Sequence, residues 1–223
     1  MLSLITSLVS VAVAGAVSSV PVSITIMILL SPQPRRGALP FLCGCLAGSI
    51  AVVGLSAVGL RLLPGRPQLD QITLPAVLCV LAGVGLTGYG VYLVRRKPRP
   101  SKGRVEKLRT RFEAAAIWEF AVLGLGMNLR PKAILLAVTA GALIGVRDLP
   151  PVEATVLVLA YAALAQSAVV VPIGVWLRSP DTAQTHLSAL YSWMQAHGST
   201  ITAVAALVIG LFLVVYNLLQ LPR

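Results

Sequence analysis

Long apolar runs without charge constrain the fold of this chain more than any other feature. Residues 2–30, 37–60 and 72–94 contain no Asp, Glu, Lys or Arg. About 20 consecutive apolar residues are enough for a helix to cross the hydrocarbon core of a bilayer. Only 11% of the 223 residues are charged, whereas a soluble domain carries about 25%. A soluble fold, a disulfide-rich secreted module and a disordered chain are thereby excluded, and the sequence predicts an all-α membrane protein.

Six transmembrane helices are predicted from the spacing of these runs. They divide the chain into a first three-helix repeat at 1–94, a basic cytoplasmic connection at 95–112 and a second three-helix repeat at 113–223. The spans are predicted at 2–30, 37–63, 72–94, 114–146, 150–176 and 200–219.

The two halves of the chain show a short internal similarity. A shift of 110 residues places AGAVSSVP at 14–21 on GLGMNLRP at 124–131, so that small residues precede a polar one and then a proline. Three spans per repeat require the second repeat to insert upside down. Many secondary transporters bind their substrate at the bilayer midplane, between broken helices of such inverted repeats. We therefore expect broken first and fourth helices, with breaks marked by Pro21 and Pro131.

Lysine and arginine are distributed unequally between the two predicted sides of the membrane. Twelve lie on the side that contains Arg35, Arg36, Arg178 and the nine basic residues of 95–111, and four lie on the other side. Cytoplasmic loops carry the excess of positive charge. Both termini are therefore predicted to be extracytoplasmic in the plasma membrane, and the basic connection is expected to contact anionic headgroups at the cytoplasmic face.

The fourth run contains two basic residues, Arg130 and Lys132, near its middle. A central Arg or Lys costs roughly 2.5–3.5 kcal/mol on the insertion scale, so such residues usually face a cavity or a partner. If the run crosses the membrane once, these cations make an electropositive cavity that suits an anionic headgroup. Alternatively, residues 105–125 form an interfacial helix, and both side chains extend into the headgroup layer.

Ten residues at the two predicted breaks and in the fifth span are candidates for substrate binding. No catalytic site, metal site or cofactor is expected, and the chain is not predicted to be an enzyme, because the spans offer no paired carboxylates. The dinucleotide-type pattern of Gly83, Gly85 and Gly88 lies within an apolar run, where the required strand and loop are missing. The candidates are Ser18, Ser19, Pro21, Ser23, Asn128, Arg130, Pro131, Lys132, Tyr161 and Gln166.

Several short motifs resemble the GAP/Sap-like (glycolipid- and sulfolipid-addressing) proteins of actinobacteria, within the lysine-exporter superfamily. They are VPV at 20–22, LLSPQPRRGA at 29–38, FLCG at 41–44, and Trp193 ahead of a final span with Gly210. The segment NLRPK at 128–132 is similar to the Asn-Pro-Lys segment of that superfamily, with two residues inserted after Asn128. The resemblance covers nearly the whole chain and implies a six-helix exporter that moves envelope lipids or small metabolites outward.

Three functions are compatible with these features. The first is export or translocation of an envelope glycolipid or lipid precursor with an anionic headgroup. The second is export of a small polar solute such as an amino acid, and the third is a non-transporting scaffold for a lipid-export machine. The expected partners are membrane lipids and the substrate, with a homo-oligomer or an envelope-lipid export partner in addition. No nucleic acid is expected, because the positive charge is explained by membrane orientation.

Overall fold

The computed structural model describes residues 2–31, 33–62, 73–95, 115–147, 149–179, 187–190, 193, 203–204, 206–212 and 214–215. Every regular element in these ranges is an α-helix, as the continuous apolar runs predict. Most of the basic connection at 95–112 lies outside the described residues. The principal helices are α1 (Leu2–Ala16), α2 (Ser19–Leu29), α3 (Pro34–Leu62), α4 (Thr73–Arg95), α5 (Ile117–Met127), α6 (Pro131–Gly145), α7 (Pro151–Ala165) and α8 (Ser167–Arg178).

Only one unbroken helix in the described chain, α3, is long and apolar enough to cross a membrane by itself, over Pro34–Leu60. Three further helix pairs pass the same test together but are bent at a short break. The bends are 56° between α1 and α2, 68° between α5 and α6, and 69° between α7 and α8. These elements supply up to four spans, and the described part of α4 adds a shorter apolar helix at Val80–Tyr92.

Breaks in the first and fourth apolar runs are thus present, as predicted, although the first lies at 17–18 rather than at Pro21. Pro21 is instead the third residue of α2. The first turn of a helix tolerates proline because its amide would have no intrahelical acceptor there. The break in the fifth run was not predicted, since the sequence indicates one continuous helix up to Trp176.

The apolar side chains form two separate clusters, one toward each end of α3. The first cluster joins α1, the second half of α3, α6 and α7, and it includes Val11, Val53, Leu143 and Val158. The second cluster joins α2, the first half of α3, α5 and α8, and it includes Ile26, Phe41, Phe120 and Ile173. Each bent pair therefore contributes one half-helix to each cluster, and its break falls between them.

Helix α3 packs closely against both α5 and α6 through glycines. A Cβ atom added to Gly44 would meet the Ala121 carbonyl of α5, and one added to Gly124 would meet the Phe41 carbonyl of α3. On α6, a Cβ added to Gly141 would lie 2.6 Å from the Val53 carbonyl oxygen. Small residues allow helix backbones to approach in this way within membranes. The unbroken helix is thereby held directly against both halves of the fourth span.

Candidate functional site: a polar layer at three helix breaks

The three breaks meet in one polar layer, which we define by Val17–Ser18, Asn128–Lys132, Gln166 and residues 45–49 of α3. The layer lies between the two apolar clusters. Gly48, whose added Cβ would lie 2.7 Å from Asn128 Nδ2, is fourteen residues from each end of α3, Pro34 and Leu62. At ~1.5 Å per residue this is the middle of a helix about 43 Å long, so the layer lies at half the depth of the spanning region.

Lys132 connects the fourth span to the break in the first. Its ammonium Nζ donates a hydrogen bond of 2.7 Å to the carbonyl oxygen of Val17, 115 residues earlier in the chain. Val17 directly follows α1, where unpaired carbonyls carry the partial negative charge of the helix end. Lys132 therefore stabilises a break that would otherwise leave a carbonyl without a donor in a low-dielectric environment.

Asn128 is the central hydrogen-bonding residue of the layer, and only 6% of its surface is exposed. Its amide Nδ2 donates to the carbonyl oxygens of Cys45 at 3.0 Å and Gly124 at 3.3 Å. Its oxygen Oδ1 accepts a bond of 3.1 Å from Gln166 Nε2. Because both Nδ2 hydrogens are donated and Oδ1 has one donor already, the side chain has little capacity left for a ligand.

Gln166 is the residue at which the fifth span breaks. Its backbone amide donates to Ala162 O at 3.0 Å, and its carbonyl accepts from the amides of Val169 and Val170. The chain thus ends α7 and starts α8 within one residue. The side chain, which the sequence predicts to line a cavity, instead links the third break to the second through Asn128.

Arg130 is half-buried at the residue before α6, and no described residue accepts a hydrogen bond from its guanidinium. Tyr89 of α4 and Cys45 of α3 are the described ionisable groups close enough to act on its charge. The described carboxylates, Glu119 and Glu153, are exposed in the first turns of α5 and α7, away from the breaks. The layer therefore holds two cations and no carboxylate among the residues described.

This arrangement can bind an anion. The guanidinium presents a planar set of donors that matches phosphate, sulfate or carboxylate. Pro131 starts α6, so the next backbone amides have no intrahelical acceptor and the positive end of the helix dipole is at Arg130. An anion at this place would meet both the side chain and the helix end.

The predicted residues of the first span lie at its break or in the first turns of α2. Ser18 precedes α2 in an extended conformation, with φ −143°, and its hydroxyl does not cap the helix. Ser19 is the first residue of α2, and Ser23 lies half-buried in the second turn. The Pro21 carbonyl accepts a bond of 2.8 Å from the hydroxyl of Thr25. Of this set, only Ser18 is part of the break.

Tyr161 is buried among apolar side chains. It is 3% exposed within the first apolar cluster, and a Cβ added to Gly15 of α1 would lie 4.0 Å from its hydroxyl. Two groups of the layer, the Val17 and Cys45 carbonyls, and the neighbouring side chain of Tyr89 were not foreseen from the sequence. Backbone carbonyls carry no residue-specific signal, whereas Tyr89 is detectable as a polar residue within the third apolar run.

The fold and the site together define a helical membrane protein in which broken helices enclose a polar layer between two apolar clusters. The family model for Sap, sulfolipid-1-addressing protein, matches residues 8–217. This is nearly the whole chain, which therefore belongs to that family. No curated protein and no solved structure matches it.

Proposed function

We propose that this protein exports or translocates an envelope lipid that carries an anionic headgroup. The family name, sulfolipid-1-addressing protein, supports a role connected with such a lipid. The resemblance to glycolipid-addressing proteins of the lysine-exporter superfamily supports transport as that role. The proposed activity is translocation and includes no catalytic step.

The observation that carries this proposal is the guanidinium of Arg130, which lies half-buried at half depth with no acceptor among the described residues. A charge in this environment is costly unless it meets a partner or water, and no described residue provides an acceptor. A phosphate, sulfate or carboxylate headgroup would supply that partner when it arrives. The favourable energy of this interaction would be gained only when the headgroup is bound, and a substrate-binding site must have this property.

Exposure around Arg130 favours a lipid over a small polar solute. Leu125 near the end of α5 is 46% exposed, and Leu129 in the turn before Arg130 is 61% exposed. A Cβ added to Gly126 of α5 would meet nothing within 4 Å. In a bilayer these surfaces face acyl chains. A headgroup could thus reach Arg130 from the side while its tails remain in lipid, whereas an amino acid would need an aqueous path.

We further propose six spans arranged as two inverted repeats. The pairwise packing supports this. Helix α1 packs on α7 as α5 packs on α3, and α2 packs on α8 as α6 packs on α3. Exchanging α1–α2 with α5–α6, and α3 with α7–α8, therefore interconverts these two sets of contacts. In this arrangement both termini are extracytoplasmic, and the basic residues of 95–111 contact anionic lipid at the cytoplasmic face of the plasma membrane.

The test is a comparison of envelope lipids in a deletion strain complemented with the natural chain or with Arg130→Gln. We expect the deletion strain and the Arg130→Gln strain to retain an anionic glycolipid at the inner membrane and to lack it in the outer envelope. An unchanged envelope lipid profile together with an altered profile of secreted amino acids would contradict the proposal. Unchanged profiles of both kinds would favour a scaffold.

A further inference from the structure

The bend in the fifth span lies six residues before Pro172 of α8, whose ring opposes the carbonyl of residue 168. The chain bends at Gln166, where α7 ends and α8 begins. Proline weakens the helix here, but the tertiary contacts on the two sides determine the direction and size of the 69° bend. A change in those contacts can therefore alter it.

The two sides of this bend belong to different apolar clusters. The end of α7 is fixed against α1, where a Cβ added to Gly15 would lie 3.4 Å from Ala165 Cβ. Helix α8 packs with α2, and its Val169 and Trp176 lie in the second cluster. The angle at Gln166 therefore reports how the two clusters are placed relative to each other.

The hydrogen bond from Gln166 to Asn128 can form in only one orientation. Two carbonyl acceptors, those of Cys45 and Gly124, fix the Nδ2 group of Asn128. Its Oδ1 must then face Gln166, and Gln166 must present its Nε2 donor. Asn128 begins the turn that carries Arg130, because its amide and that of Leu129 close the end of α5.

We propose that the hydrogen bond between Gln166 and Asn128 couples the bend of the fifth span to anion binding at Arg130, an inference that rests on the proposed function. A shift of α8 moves Gln166 and removes the donor from Asn128, which releases the turn before Arg130. By linkage, an anion bound at Arg130 must shift the equilibrium between bend angles, and the coupling free energy is the same in both directions. Gln166 is thus a positioning residue that acts through Asn128.

The experiment uses the full chain in phosphatidylcholine nanodiscs, with its three native cysteines replaced by alanine. Spin labels at positions 156 and 175, which are exposed on α7 and α8, report the bend as a distance distribution. Dodecyl phosphate is the anionic probe, and dodecyl maltoside is the neutral control. We expect dodecyl phosphate alone to shift the distribution, and Arg130→Gln to abolish both its binding and the shift.

Gln166→Met removes the donor at similar size, and Gln166→Glu places an acceptor against Asn128 Oδ1. Each is expected to weaken dodecyl phosphate binding about tenfold, the equivalent of ~1.4 kcal/mol for one hydrogen bond, and to abolish the shift. Leu164→Met, at an exposed position of α7, is the matched control and should behave as the natural chain. Either Gln166 variant suffices if the other does not fold.

Two outcomes separate this inference from the proposed function. Binding that depends on Arg130 but leaves the distance unchanged, or that is unaffected in the Gln166 variants, overturns the coupling and leaves the anion site standing. Binding that is insensitive to Arg130→Gln overturns the anion site, and the coupling with it.

Discussion

Arg130 and Lys132 are two residues apart but serve different purposes in the polar layer. Lys132 is a point charge whose Nζ is already bonded to Val17 O, so it maintains the break in the first span. Arg130 has no acceptor among the described residues, and its planar donors are available to a ligand. The sequence predicts that both line a substrate cavity, whereas the anion contact proposed above involves Arg130 alone.

Arg130→Lys should retain part of the export activity, because the charge stays while the two-pronged geometry is lost. Arg130→Gln should reduce export to a few per cent, since an uncharged amide cannot compensate an anion. The measurement is the amount of anionic envelope lipid outside the plasma membrane. Arg178→Gln, at the exposed end of α8, is the control and should export normally. Equal activity of all three variants would contradict the role of Arg130.

Lys132→Ala should abolish export without lowering the amount of protein in the membrane. The substitution removes a charge that costs roughly 2.5–3.5 kcal/mol at the centre of a span, and it leaves the Val17 carbonyl without its donor. Immunoblots of membrane fractions measure insertion, and envelope lipid analysis measures export. Near-normal export would show that the bond to Val17 is dispensable and would favour the interfacial interpretation of residues 105–125.

Gly48→Ala should destabilise the protein by about 1–3 kcal/mol, the cost of leaving a buried polar group unsatisfied. Its Cβ would lie 2.7 Å from Asn128 Nδ2, so the amide must leave its two acceptors. Gly54→Ala on the same helix meets nothing within 4 Å and should be neutral or stabilise by up to about 1 kcal/mol. Thermal unfolding in detergent compares the two, and equal midpoints would contradict the packing described here.

At the scale of single residues, the sequence predicts the cations and prolines of the polar layer but not their hydrogen-bond partners. Pro131 and two central charges are visible in a single apolar run, which is why a break was predicted there. The acceptors of Lys132 and Asn128 are backbone carbonyls at Val17 and Cys45, which no residue type identifies. Gln166 was identified as polar, but Pro172 lies six residues beyond it, so the position and angle of this break depend on contacts with distant helices.

At the scale of helices, α3 and α5 approach closely where Gly44 and Gly124 face the opposite backbone. Backbone atoms cannot move aside as a flexible side chain can. The pair therefore depends on the absence of a Cβ at both positions. Apolar patterning predicts these two helices, but it does not predict which glycines lie between them.

Gly124→Ala should destabilise the protein by about 1–3 kcal/mol, the usual cost of overpacking a core. The reason is that its Cβ would lie 2.8 Å from the Cys45 amide nitrogen. Gly126→Ala, one half-turn away on α5, meets open space and should not reduce stability. Retention of monodisperse protein after heating distinguishes the two variants. A Gly124→Ala protein as heat-resistant as Gly126→Ala would rule out close contact between α3 and α5.

At the scale of the whole molecule, the two apolar clusters and the polar layer between them determine how charge is distributed. Described basic residues outside the layer lie at helix ends, such as Arg35 and Arg36 on α3 and Arg178 on α8. These three lie at the end of the molecule formed by the second cluster. The sequence analysis places the basic connection on the same side of the membrane as these three residues. The excess of positive charge at this end predicts that it is cytoplasmic.

A cysteine at position 102, in a chain without its native cysteines, should react with a membrane-impermeant maleimide only after the cells are opened. The reason is that nine Lys and Arg in 95–111 orient this connection toward the cytoplasm. A cysteine at position 152, on the exposed first turn of α7, is the control and should react in intact cells. Labelling of position 102 from outside would reverse the topology.

The break between α1 and α2 has a consequence for synthesis. The half-helices α1 and α2 contain 15 and 11 residues, or about 22 and 16 Å, and neither reaches across a ~30 Å hydrocarbon core. At the break between them, the Val17 carbonyl accepts a hydrogen bond from Lys132, which the ribosome adds more than a hundred residues later. The amino-terminal segment therefore enters the membrane before its final bend can be stabilised, and it acquires that bend only when the fourth span arrives.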